Sequence, residues 1–245
     1  EKVSLGTIIN VFSILIGAGI GVALGHRLPA NISRTLTDAL GLVVLVIGGL
    51  NLIALTDISF VAAVSSAGTL LVVLASLVLG SVLGSMLRIE QRLSHFGTWL
   101  QLKASRGGDK EKFIEGFVNA SLLFTIGPMA VLGALQDGLG QGFDVLALKS
   151  TLDGLTSVAF AAALGWGVAF AAIPVGIWQG LLTLLAASAG ALMSDALVAS
   201  ITATGGVLLL GTGLRVLQIR MVSVADMLPA LVIAPLITWA VASFI

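Results

Sequence analysis

The sequence predicts an all-α, polytopic membrane protein with eight transmembrane helices. Three observations carry this. First, Gly154–Ser194 runs 41 residues without Asp, Glu, Lys, Arg or His. Second, the chain is 58% hydrophobic and 10% charged, against about 25% charged residues in soluble domains. Third, Lys and Arg fall mostly on one side when the chain is threaded through eight spans. A bilayer core is about 30 Å thick and is crossed by roughly 20 helical residues. The long uncharged run therefore makes two spans, with a turn at Gly165-Trp166-Gly167.

Each span follows in order. Val3–Gly25 is the first uncharged stretch. It exceeds a signal-peptide core, lacks an A-x-A cleavage pattern and is followed by His26 and Arg27, so a retained span is expected. The chain opens on Glu1-Lys2 rather than Met, so removal of a preceding piece is expected. Ala39–Thr56 is the second span. Ile58–Leu87 is longer than a third span needs, and Ile58 to Ala67 is expected at the interface. Gly116–Gln136 is the fourth span, Gly154–Ser194 supplies the fifth and sixth, Ala196–Leu214 is the seventh and Met227–Ile245 the eighth. The whole of residues 1–245 reads as one transmembrane domain.

Charge tests the count. With eight spans, ten of the twelve Lys and Arg share a side, leaving Lys2 and Lys149 on the other. The positive-inside rule then places both termini outside. Seven spans give a poorer division of eight to four. Residues 88–115 become a cytoplasmic amphipathic connector, with Ile89, Leu93, Phe96 and Leu100 opposite Glu90, Arg92 and Gln101. Arg106-Gly107-Gly108-Asp109 is expected to break that helix. It reads as a solvated connector resting on headgroups, with a partner-docking site as the alternative.

Composition also excludes classes. Zero net charge gives no case for nucleic acid, and the absence of cysteine excludes disulfides and thiolate sites. His26 and His95 are not placed like a ligand cluster, so no metal or cofactor is expected. No Walker loop, H-E-x-x-H or G-x-S-x-G pattern is present. Asp137-Gly138 and Asp153-Gly154 lie outside a G-x-G-D pattern, and an enzyme is not expected.

Small residues mark packing faces. Gly17, Gly21 and Gly25 form a stripe, and Gly80 with Gly84 and Gly176 with Gly180 repeat its spacing. Such stripes let helices cross closely, within one chain or between copies in a homo-oligomer.

The polar residues inside spans are the candidates for function. On span four, Ser121, Thr125 and Gln136 fall near one face with Pro128, and Asn119 lies a turn earlier. Pro128 lacks an N–H and displaces the bond to the Phe124 carbonyl. The freed carbonyl can coordinate a cation or a substrate donor; the plainer reading is a kink whose polar groups bond a neighbouring helix. Lys149 and Asp153 form an i,i+4 pair on one helical face, with Asp153 inside the outer part of span five and Asp137 ending span four on the same side. Ionisable groups in spans are costly and are often functional, although an interfacial anchoring pair reads equally well. Gln179 sits alone in span six after Pro174, and Asn10 and Asn51 are similar lone amides suited to bridging helices. Asp226 is placed to cap span eight, with Pro229 tolerated in its first turn and Pro235 kinking it deeper in.

Gly41 to Leu45 with Gly49 to Ile53 resembles Gly205 to Leu209 with Gly213 to Leu217. These lie in spans two and seven, which cross in opposite directions. Spans 1–3 and 6–8 then read as inverted repeats, the architecture of many transporters; chance likeness among Gly/Leu/Val-rich helices is the alternative.

One ordered set of motifs points to a family. Gly6-Thr7-Ile8-Ile9-Asn10 opens the chain, followed by Phe117-Val118-Asn119-Ala120-Ser121-Leu122-Leu123-Phe124 and Gly127-Pro128-Met129-Ala130. Then come Gln136-Asp137-Gly138, Leu148-Lys149-Ser150, Leu152-Asp153-Gly154, Trp178-Gln179-Gly180 and Thr204-Gly205-Gly206. Over nearly its whole length the chain resembles the bacterial membrane family called domain of unknown function 554, or YqgA-like. The resemblance implies a bacterial inner-membrane protein in a lipid bilayer and brings no functional residues with it. From the residues, a transporter of a small solute or ion is expected. A channel and a structural or regulatory membrane protein are the rivals.

Overall fold

A computed structural model describes residues 5–25, 29–104, 109–126, 128–189 and 194–244. Lys2, His26, Arg27, Arg106, Gly107, Gly108 and Gly127 lie outside the described residues. Every described element is a helix. In order they are α1 (Leu5–Gly25), α2 (Ala30–Asn51), a 3-10 turn (Leu52–Thr56), α3 (Ile58–Val64) and α4 (Ser66–Leu87). Next come α5 (Ile89–Ala104), α6 (Lys110–Thr125), α7 (Pro128–Gly138), α8 (Asp144–Leu164) and α9 (Gly167–Phe170). The last are α10 (Ala172–Ala189), α11 (Asp195–Val216), α12 (Val224–Met227) and α13 (Ala230–Phe244).

Among the described residues, seven helical stretches are long and apolar enough to cross a membrane. An eighth is added if α6 and α7, bent by 60° at their junction, count as one span. The bend has a local cause. Proline cannot continue the ladder and disfavours helix in the residue before it, so the chain leaves α-geometry at Ile126 (ψ 120°) and restarts at Pro128.

Glycine sets the tightest contacts. A Cβ on Gly17, Gly21 or Gly25 would overlap the carbonyl oxygens of Gly154, Val158 and Ala162. Partner numbers rise together, so α1 and α8 run parallel. Gly80 and Gly84 meet Ala230 and Asp226, with α4 antiparallel to the final span. Gly41 and Gly48 meet Leu217 and Gly206, with α2 antiparallel to α11. Gly176 meets only Val11, and Gly180 meets nothing within 4 Å, so that pair makes no close crossing. The described glycine contacts lie within one chain. Around them runs an apolar exterior: Leu70, Leu74 and Val78 of α4, and Ile177, Leu181 and Leu184 of α10, are each more than half exposed. Such a surface suits lipid.

The structure corrects several boundaries. α8 begins ten residues before the uncharged run, at Asp144. A charge count stops at Lys149 and Asp153, but those two groups neutralise each other and the helix continues through them. Asp153 is therefore mid-helix rather than in the outer part of the span, and Lys149, counted with Lys2 on the outer side, lies within the same helix. Ile58–Val64 is a separate helix, capped by Asp57 and ended by Ser65 at φ 70°. The Ser59 hydroxyl, against an opposing effect of burial and with help from the Phe60 and Ser59 amides, holds the exposed Asp57 carboxyl below its ordinary range. The connector splits: α5 ends at Ala104, and Lys110 to Glu115 open α6. Within α5, Gln101 is buried rather than on the polar face, while Phe96 stacks on Trp99 and meets Phe117 edge-on. Asp226 caps another helix instead of its own: its Oδ1 accepts from Glu90 N at 2.8 Å.

Candidate functional site

The site begins with the close packing of α1 on α8. That face of α1 carries Gly6, Asn10 and Gly17, so Asn10 is pressed against α8 with no exposure. A buried amide must find partners. Asn10 Nδ2 donates to Asp153 Oδ2 at 3.0 Å and to Gln179 Oε1 at 3.1 Å. Lys149 Nζ forms an ion pair with the same Asp153 oxygen. One turn away, the Ser13 hydroxyl donates to the Ser150 carbonyl at 2.7 Å. Three helices, α1, α8 and α10, thus meet through the Asn10 amide, which bonds Asp153 on one side and Gln179 on the other. Lys149, Asp153 and Gln179 are 6%, 7% and 0% exposed. An ion pair so far from water is costly unless its remaining hydrogen-bonding capacity is met, which is what Asn10 supplies.

The pair is not sealed in on every side. Lys149, Asp153 and Thr156 border a cavity of about 220 Å3 between α2, the α6–α7 break, α8 and α11. Its other walls are apolar, including Val44, Phe124, Ile126 and Phe160. Asn51 also lines it, with a buried Nδ2 that has no partner. A mostly apolar cavity with a few convergent polar groups is the usual form of a small-ligand site. The α6–α7 break lies beside the mid-helix charges.

Other unpartnered polar atoms lie close by. Asn10 Oδ1 and Gln179 Nε2 make no hydrogen bond, nor do the hydroxyls of Thr7 and Thr183, one turn further along α1 and α10. Unmet capacity at this density is unusual in a folded interior.

The eight candidates separate into groups. Lys149, Asp153 and Gln179 come together. Asn119 is fully buried on α6 with neither amide atom partnered. Ser121 and Thr125 bond their own helix, donating to the Phe117 and Ser121 carbonyls at 2.6 Å each. Both line a different cavity, almost wholly apolar, with Pro174, Trp178 and Pro229. Gln136 is half-buried and borders none of the described cavities. Asp137 reaches the start of α1, where its Oδ2 accepts from Gly6 N at 3.2 Å. A carboxylate there satisfies an orphan donor and suits the helix dipole. Asn10, Asn51 and Thr156 join the site although they were not among the candidates read from the sequence. One signal was available for Asn10: it lies seven residues before Gly17, on the tightest face of its helix, where an amide needs a partner across the contact.

Among the described residues, no group of three or more His, Cys, Asp or Glu is placed to hold a metal ion.

Comparison with known proteins follows the same outline. The family model described as "Protein of unknown function (DUF554)" matches residues 5–239. The chain is 33% identical over 233 residues to "Uncharacterized protein YqgA" of Escherichia coli strain K12, covering 94% of each chain. It is 29% identical over 241 residues to "Uncharacterized membrane protein YdfK" of Bacillus subtilis strain 168, covering 98% of this chain and 97% of that one. No solved structure matches.

Proposed function

The chain belongs to the DUF554 family, and from that premise we propose that it moves a small solute or ion across the bacterial inner membrane. The observation that carries this reading is the Lys149–Asp153 pair, held mid-span and bordering a cavity beside a broken helix. A purely structural pair gains nothing from a cavity, whereas a transport site needs charged groups that a solute can reach. Broken helices at mid-membrane expose backbone groups next to the solute in many transporters.

The inverted repeat belongs to this proposal. Under it, spans one, two and three correspond to six, seven and eight. Contacts of all three pairs support it: Val11 against Gly176 with Asn10 against Gln179, Gly48 against Gly206 with Gly41 against Leu217, and Gly80 against Ala230 with Gly84 against Asp226, each antiparallel. The Asn10–Gln179 bond then joins two equivalent spans at the site. We place both termini outside and the Lys/Arg-rich end of the bundle in the cytoplasm, on the charge bias. No chemical transformation is assigned.

A structural role is the rival, favoured by the way Ser121 and Thr125 spend their hydroxyls on their own helix. Flux separates the two. The purified protein in liposomes should pass one of a panel of small ions and solutes faster than empty vesicles. Asp153→Asn strands the Lys149 ammonium and should cost stability as well, so its flux is read per folded molecule, where a loss of about tenfold or more is expected. The transport reading falls if no member of the panel crosses, or if Asp153→Asn carries it unchanged.

A further inference from the structure

A second cavity lies along the same four helices as the first. It measures about 510 Å3 and is lined by Arg34, Asp38, Lys112, Glu115, Leu164 and Leu217, among others. These residues belong to α2, α6, α8 and the C-terminal end of α11, the helices that also enclose the Lys149–Asp153 cavity. On each helix the two sets of lining residues follow one another without interleaving. The sets close to within two residues on α2, from Asp38 to Leu40, and within three on α8, from Phe160 to Ala163. Since a helix rises about 1.5 Å per residue, the two cavities are separated on those walls by less than about one turn.

On the lining face of α6, one polar residue stands in the gap. Lys112 and Glu115 line the charged cavity, and Leu123 and Ile126 line the inner one. These four, with Asn119 between them, recur at intervals of three and four and so share one face of α6 and its exit. Asn119 has no exposure, and neither its Oδ1 nor its Nδ2 has a partner. An amide left unmet inside a dry contact is costly, and a leucine would fill that place better. An amide that meets water or a solute when the contact opens has a reason to be there.

We propose that the two cavities are segments of one route from the Arg34–Lys112 end to Asp153, and that Asn119 is its constriction, offering donor and acceptor to water and small polar solutes. The function of the route rests on the transport reading above, but its existence does not.

The chain has no cysteine, so single-cysteine variants report directly. In reconstituted vesicles, Glu115→Cys, Asn119→Cys, Leu123→Cys and Thr156→Cys are exposed to a permanently charged methanethiosulfonate from the side on which Glu115→Cys reacts. Val78→Cys, on the lipid-facing surface of α4, is the control. Asn119→Cys and Thr156→Cys should react at least about tenfold faster than Val78→Cys. Adding Asn119→Leu to Thr156→Cys should slow its reaction by a similar factor. The proposal is overturned if the inner positions react no faster than the control, or if Asn119→Leu leaves Thr156→Cys unchanged. Should Asn119→Cys fail to fold, Leu123→Cys and Thr156→Cys beyond it still read the route. Labelling without flux keeps the route and removes the transport reading; Asp153-dependent flux without labelling does the reverse.

Discussion

Glu90 and Asp226 each cap the helix that the other one opens. Asp226 Oδ1 accepts from Glu90 N at 2.8 Å, and Glu90 Oε2 accepts from Ala225 N at 3.0 Å. The remaining Glu90 oxygen pairs with Arg215 at the end of α11. Two carboxylates and one guanidinium thus tie the start of α5 to the loop between the last two spans. The Arg215 side chain is only 9% exposed, so removing its partner leaves a poorly solvated charge.

Glu90→Ala should therefore destabilise the protein by about 2–4 kcal/mol. Thermal unfolding in detergent measures it. Glu90→Ala with Arg215→Met should recover part of the loss, because no buried charge is then orphaned. A double variant no better than the single one would show that the caps, not the ion pair, dominate.

The α1–α8 contact predicts a sharp contrast between neighbouring glycines. A Cβ at Gly21 would overlap the Val158 carbonyl, whereas one at Gly19 meets nothing within 4 Å. Gly21→Leu should cost more than about 3 kcal/mol or prevent folding, and Gly19→Leu should be nearly silent. Yield and size-exclusion profiles in detergent distinguish them. Equal behaviour of the two would refute the packing.

The Lys149–Asp153 pair predicts a separation of stability from flux. Lys149→Met alone strands the Asp153 carboxylate and should cost about 3–5 kcal/mol. Lys149→Met with Asp153→Asn removes both charges and should regain much of that stability. Under the transport reading, flux stays lost in the double variant. Recovered flux would mean that the charges serve only the fold.

Orientation is tested from two surface positions. Lys103→Cys on α5 and Ser243→Cys near the end of α13 should react with an impermeant thiol reagent from opposite faces of the membrane. Reaction from the same face would rule out eight crossings.

The sequence alone determined the class of this protein and most of its span count. Long uncharged runs have no other physical home than a bilayer, and that property is local to the chain. It also picked out Lys149, Asp153 and Gln179, because a polar group in an apolar helix is conspicuous wherever the helix ends up. Tertiary structure decided what each of these groups touches. Asn10 looked like Asn51 in the sequence, yet Asn10 binds Asp153 because the Gly17–Gly25 stripe draws α1 onto α8, and Asn51 lines the cavity instead. Ser121, Thr125 and Asn119 were grouped as neighbours on span four, but the two hydroxyls reach their own carbonyls at i−4, which a longer-armed amide at Asn119 does not do. Helical spacing fixes which face a residue occupies. Only packing fixes whether that face meets lipid, another helix or a cavity.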